Sequence, residues 1–121
     1  MTVSLMVRFY LILIVLFRRD RDNIVSNKKD GGGVLTAVSK RIFSKRRFDL
    51  ETDIEIIWIE CKLHNNHKLF LATVYLPPDS TLSTLSLFEQ SLDNVYRVAD
   101  SSDSIIILGD FNSLSRLRFH K

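Results

Sequence analysis

Residues 56–78 read IIWIECKLHNNHKLFLATVYLPP, and this stretch decides the fold class. Ile57, Ile59, Cys61 and Leu63 alternate with Ile56, Trp58, Glu60 and Lys62, the two-residue period of a β-strand with two different faces. The polar connection His64-Asn65-Asn66-His67-Lys68 has hairpin length, so Leu69 to Leu76 returns as an antiparallel partner. His64 and His67 then belong to a surface turn. Pro77-Pro78 ends the ladder, because proline donates no amide hydrogen and restricts the residue before it.

Beyond the prolines the period becomes helical. Leu85, Phe88, Leu92, Val95, Tyr96 and Ala99 form a core-facing stripe, with Ser86 and Glu89 as a capping box if the helix starts late. Asp100 to Asp103 end the helix, and Ile105 to Leu108 is expected to be a fully buried strand. Towards the amino terminus, Gly31-Gly32-Gly33 is a turn before a short strand, Val34 to Ser39, with Val34, Thr36 and Val38 on one face. Residues 40–53 are mostly polar and charged and read as loop. Phe9 to Phe17 is an unbroken apolar run, shorter than the roughly 20 residues a membrane span needs. A buried strand fits it best, with a signal-anchor as the alternative. No stable membrane insertion is expected.

The 121 residues, 45% hydrophobic and 26% charged, make one domain's worth of ordinary globular chain and exclude a fibre or a wholly disordered tail. A single cysteine excludes both a disulfide framework and a Cys-rich zinc module, and favours a nuclear or cytoplasmic location over secretion. Charge is uneven: residues 18–49 carry ten basic and four acidic side chains, and the residues after 49 carry six and ten. A basic first half suits a polyanion, so the alternative to an enzyme is a non-enzymatic nucleic-acid binder, with Lys45-Arg46-Arg47 as its densest run.

Gly109-Asp110-Phe111-Asn112 follows the apolar strand directly. In extended geometry Asp110 and Asn112 point the same way, while Phe111 turns to the core. A carboxylate that can ligate a hard cation or orient a water, beside an amide that adds no charge, suits metal-assisted phosphodiester hydrolysis. Tyr75, at the end of its strand, offers a phenol for a phosphate or leaving oxygen.

Four ordered segments, Gly31 to Val38, Glu55 to Ile59, Ala72 to Pro78 and Ile106 to Asn112, resemble the endonuclease/exonuclease/phosphatase family. The nearest likeness is to the apurinic-type endonuclease of LINE-like non-LTR retrotransposons, over about residues 13–112. Phe17 to Asp22 is similar to the strand and basic turn before its glycines. The resemblance implies an α/β chain of the α+β type: part of a four-layered α/β sandwich with mixed, mostly antiparallel sheets. It also implies Mg²⁺ or Mn²⁺ dependence and nicking of a DNA phosphodiester. By the same resemblance Asp110 orients the attacking water near the metal, Asn112 positions Asp110 and the phosphate, and Tyr75 contacts the scissile phosphate. Asp110 and Asn112 are thus the metal-side residues.

Two blocks of the family pattern have no counterpart here. No Glu precedes Glu51, whereas the family places an Asn and a metal-binding Glu before its glycines. The late Asp and Asp-His pair are missing too, since His120 lies too close to Asn112 to be the family histidine, and Ser113 to Arg116 lack the usual proline. Leu50-Glu51-Thr52-Asp53 lies on the wrong side of the glycines to replace the missing Glu. The expectation is one partial domain over 1–121, a fragment of a Mg²⁺-dependent DNA endonuclease with little or no activity alone. Its open sheet edges and apolar faces would promote self-association.

Overall fold

The computed structural model describes residues 14–20 and 33–111. Within them the chain is mixed α/β: six strands in two sheets and one helix. Strands β1 (Ile14–Arg19) and β2 (Val34–Ser39) pair antiparallel as a two-stranded sheet. Strands β3 (Ser44–Arg46), β4 (Glu55–Lys62), β5 (Lys68–Leu76) and β6 (Ser104–Phe111) form the main sheet in that order. The β3–β4 and β4–β5 pairs are antiparallel, and β5–β6 is parallel. Helix α1 (Leu82–Val98) supplies the crossover that a parallel pair requires.

The alternation in residues 56–76 does what its period dictates. Ile56 and Trp58 of β4 and Phe70, Ala72, Val74 and Leu76 of β5 meet Leu85, Phe88, Leu92 and Val95 of α1 in the larger core. Ile57, Ile59 and Cys61 point the other way and pack with Val38 of β2 and Phe17 of β1. The main sheet is therefore sandwiched between a helix and a two-stranded sheet. Burying such aliphatic and aromatic side chains stabilises by roughly 1.5–3 kcal/mol each. Trp58 is fully buried without leaving its indole unsatisfied: Nε1–H donates to Ser91 Oγ at 2.7 Å, and the Ser91 hydroxyl donates to the Leu50 carbonyl at 2.7 Å.

Four expectations need correction. Residues 40–53 are not all loop, because Ser44–Arg46 pairs with β4 and Phe48–Leu50 makes a 3-10 turn that buries Leu50. Charge pairing described below holds this polar segment, and apolar periodicity carries no trace of it. The helix does not start late: Thr81 is its N-cap, with Oγ1 accepting from the Thr84 amide at 3.2 Å. Strand β6 is not buried on both faces. Ile105 and Ile107 pack toward the α1 core, but Ile106 and Leu108 are 43% and 55% exposed, since among the described residues β6 is the last strand of the sheet. Finally, the described first strand begins at Ile14 and runs on through Arg18 and Arg19, past the end of the Phe9–Phe17 run, and the part of that run that is described is all strand. It alternates, with Ile14 and Leu16 exposed, and is not buried on both faces. Residues 9–13, like Gly31 and Gly32, lie outside the described residues.

Among the described residues no helix is long and apolar enough to cross a membrane.

Candidate functional site

Tyr75 and Asp110 become neighbours through the parallel pairing of β5 and β6. Tyr75 is the register partner of Asp110, so their Cα atoms lie one strand spacing apart, about 4.8 Å. Opposed residues share a face, and in β5 the face with Phe70, Ala72, Val74 and Leu76 belongs to the helix core. Tyr75 and Asp110 therefore lie on the opposite face, together with Thr73. Thr36 of β2 donates its hydroxyl to Thr73 Oγ1, or accepts from it, at 2.7 Å, tying the two-stranded sheet down one step from Tyr75.

Gly109 makes this arrangement possible. A Cβ built there would lie 1.8 Å from the Val74 carbonyl oxygen, at φ +155°. Only glycine lets β6 approach β5 that closely at the step before Asp110.

Register also adds a residue that spacing along the chain did not single out. Glu55, the first residue of β4, is the antiparallel partner of Tyr75. Glu55, Tyr75 and Asp110 thus form one row across three adjacent strands, with the phenol between two carboxylates. The signal for Glu55 lay in the hairpin register: a pairing that opposes Ile59 to Leu71 also opposes residue 55 to residue 75. Glu55 and Tyr75 are each engaged by neighbouring groups, whereas the Asp110 side chain is exposed. Asn112 lies outside the described residues.

The row sits at the carboxyl ends of the parallel strands β5 and β6. Strand carboxyl ends are where open α/β sheets place ligands. A phenol hydroxyl there can donate to an anionic oxygen, and a carboxylate one strand away can accept a proton from a water. The residues do not make a metal centre by themselves. Among the described residues no three His, Cys, Asp or Glu side chains converge on a point. A resident Mg²⁺ or Mn²⁺ would need donors beyond Asp110.

Glu51 and the basic run have other work. The Glu51 side chain is 6% exposed and receives two parallel hydrogen bonds from Arg46, at 2.9 and 2.8 Å. It also accepts from the Trp58 amide and lies 3.5 Å from the Arg19 guanidinium. The bond to Glu51 raises the Arg46 pKa above its ordinary value. Arg19 also donates to the carbonyls of Thr52 and Ile56 at 2.9 and 3.2 Å. These side chains, with Phe48 and Asp53, line an open cleft of about 480 Å³ in which the positive and negative charges match. Glu51 is thus a structural anchor, consistent with its place in the sequence on the wrong side of the glycines.

Arg47 bridges Asp49, at 2.9 and 2.8 Å, and the buried Glu60, at 2.7 Å. The Asp49 bond raises the Arg47 pKa and holds the Asp49 carboxyl below the usual carboxylate range. Lys45 adds a contact to Glu60 at 3.4 Å. Lys45-Arg46-Arg47 is therefore largely neutralised within the fold. Exposed cations without an ion pair among the described residues are Lys40, Arg41, Arg97 and Lys62, the last with its Nζ 5.4 Å from the centre of the Phe43 ring. Cys61 is buried, and that burial raises its thiol pKa, so it is a poor nucleophile.

No protein family, curated protein or solved structure matches this chain.

Proposed function

We propose that this chain carries the phosphate-handling centre of a Mg²⁺- or Mn²⁺-dependent DNA endonuclease of the endonuclease/exonuclease/phosphatase type, and that it has little or no turnover alone. The observation that supports this reading is the register partnership of Tyr75 and Asp110 at the carboxyl ends of β5 and β6. The phenol and the carboxylate, on residues far apart in sequence, belong to adjacent positions on one sheet face. In this reading the Tyr75 hydroxyl donates to a phosphate oxygen, and Asp110 accepts from and orients the attacking water. Asn112 would assist Asp110. The ion, held together with donors beyond these residues, supplies charge neutralisation for the phosphate. In this reading the helix, the main sheet and the two-stranded sheet would supply three of the sandwich's four layers.

The reading predicts that the purified chain, given supercoiled plasmid and Mg²⁺, nicks no faster than its Asp110→Ala variant. Robust nicking lost in Asp110→Ala would overturn the claim of an incomplete centre.

The exposed cations that have no ion pair among the described residues favour a second reading, a nucleic-acid binder without catalysis. Its contact residues are Lys40, Arg41 and Lys62 rather than the consumed run at 45–47. Removing three phosphate contacts lowers the slope of log affinity against log salt by about 2–3. Filter retention of duplex DNA by the triple Lys40→Gln, Arg41→Gln, Lys62→Gln variant measures that slope, and an unchanged slope would exclude this surface.

A further inference from the structure

The turn between β2 and β3 and the end of β4 meet at one end of the main sheet. The turn is fixed locally: the Ile42 amide donates to the Ser39 carbonyl at 3.0 Å, and the Arg41 amide donates to the Ser39 hydroxyl at 3.2 Å. Lys40 and Arg41 are exposed at its tip, and Phe43 beyond them is 66% exposed. The Lys62 amide donates to the Phe43 carbonyl at 2.9 Å, which carries the β3–β4 pairing one step further and sets Lys62 beside the ring. The Lys62 ammonium lies 5.4 Å from the ring centre. Lys40, Arg41 and Lys62 have no ion pair among the described residues. Glu60, the nearest carboxylate along β4, is buried and already engaged by Arg47 and Lys45. An aromatic ring thus stands in solvent among three cations that lack a counter-charge.

We propose that this surface binds a single-stranded nucleic acid, with one base stacked on Phe43 and the flanking phosphates on Lys40, Arg41 and Lys62. It rests on the cationic surface of the second reading above and narrows that reading's ligand. It does not depend on the Tyr75–Asp110 row, which lies at the other end of β4, about 24 Å away at the rise of a strand. Charge calls for a polyanion, and the ring selects its form. A duplex stacks its bases on one another, so it would meet the cations and leave Phe43 in water. An unpaired strand meets both, because its bases are free to stack on an aromatic side chain while its backbone follows the positive charge. An anionic membrane would also meet the cations. It would, however, draw the ring into hydrocarbon, and the ammonium over that ring would have to follow it or leave it, a cost in either case. Beside a stacked base the same ammonium stays hydrated and close to phosphate.

Fluorescence anisotropy of the full chain with labelled oligothymidylate and oligouridylate of about ten nucleotides, and with a duplex of equal charge, tests the proposal. Both single strands are expected to bind more tightly than the duplex, the tighter of the two identifying the preferred sugar. Phe43→Ala should weaken single-strand binding about tenfold and leave the duplex affinity and the salt slope unchanged. Phe43→Trp should retain single-strand binding, and its added indole should be quenched by the bound strand, the native Trp58 being buried. Circular dichroism should be unaltered in both variants, since the side chain they replace is exposed. Phe43→Ala without effect on the single strands, or a duplex bound as tightly as they are, would overturn the proposal and leave the second reading standing. No binding of any oligonucleotide would overturn both. Emission of the Phe43→Trp variant that responds to phosphatidylserine vesicles and not to oligonucleotides would assign the surface to a membrane and overturn the proposal.

Discussion

Gly109→Ala is expected to lower the unfolding free energy by about 3 kcal/mol or more, a large part of the roughly 5–15 kcal/mol that holds a domain folded. The added Cβ would lie 1.8 Å from Val74 O and 2.8 Å from Val74 C, both backbone atoms of the neighbouring strand. No side-chain rotation relieves such a contact, so β6 must move away from β5. That movement breaks the parallel ladder from Val74–Gly109 onward, and with it the adjacency of Tyr75 and Asp110. Urea unfolding followed by the emission of Trp58, the only tryptophan in the chain, measures the loss. An unchanged midpoint would mean that the strands do not approach as described.

The second large effect is at Glu51. Glu51→Ala should cost about 3 kcal/mol, because it leaves the Arg46 and Arg19 guanidiniums and the Trp58 amide without their shared acceptor. The Arg46 and Arg19 side chains are 15% and 26% exposed, so water recovers part of the loss and the upper end of the range for buried pairs is not reached. Removing both charges should cost much less than removing one. In a double-mutant cycle, Arg46→Met with Glu51→Leu is expected to be milder than Glu51→Ala alone. Equal losses would show that packing rather than charge holds the segment. The same logic separates the anchoring cations from the free ones: substituting Arg46 or Arg47 should change stability, whereas substituting Lys40 or Arg41 should change only the surface.

What the sequence made legible, and what it did not, follows from the kind of force involved. Strands β4 and β5 were readable because Ile57, Ile59 and Cys61 alternate with Ile56 and Trp58, and each set meets a different layer. Their bounds were off by a single residue, Glu55–Lys62 and Lys68–Leu76 against expected starts at Ile56 and Leu69. Helix α1 followed from Leu85, Phe88, Leu92 and Val95, all buried as the period requires, whereas Tyr96 of the expected stripe is 64% exposed and does not face the core. Strand β3 and the 3-10 turn were hidden because partners distant in sequence hold them: Arg47 reaches Glu60, and the Arg47 amide donates to the Trp58 carbonyl at 2.8 Å. Hydrophobic period says nothing about such contacts. Strand β6 was over-buried because its composition matches that of a central strand, while exposure depends on position in the sheet. Tyr75 and Asp110 stand out in the sequence by their chemistry and their places at strand ends. Their adjacency, and the presence of Glu55 beside them, required the pairing register.

Whether the Tyr75–Asp110 row handles phosphate and a cation, as proposed, is read by paramagnetic broadening. The ¹⁵N-labelled chain is titrated with Mn²⁺ in the presence of a thymidine dinucleotide, a phosphodiester probe, and amide linewidths are followed. Fast exchange makes even a weak single-carboxylate site visible. Broadening is expected to concentrate at Tyr75, Gly109 and Asp110, to increase with the dinucleotide and to be lost in Asp110→Asn. Broadening centred on other acidic residues such as Asp53, Asp100 or Asp103, with Tyr75 and Asp110 left sharp, would contradict it.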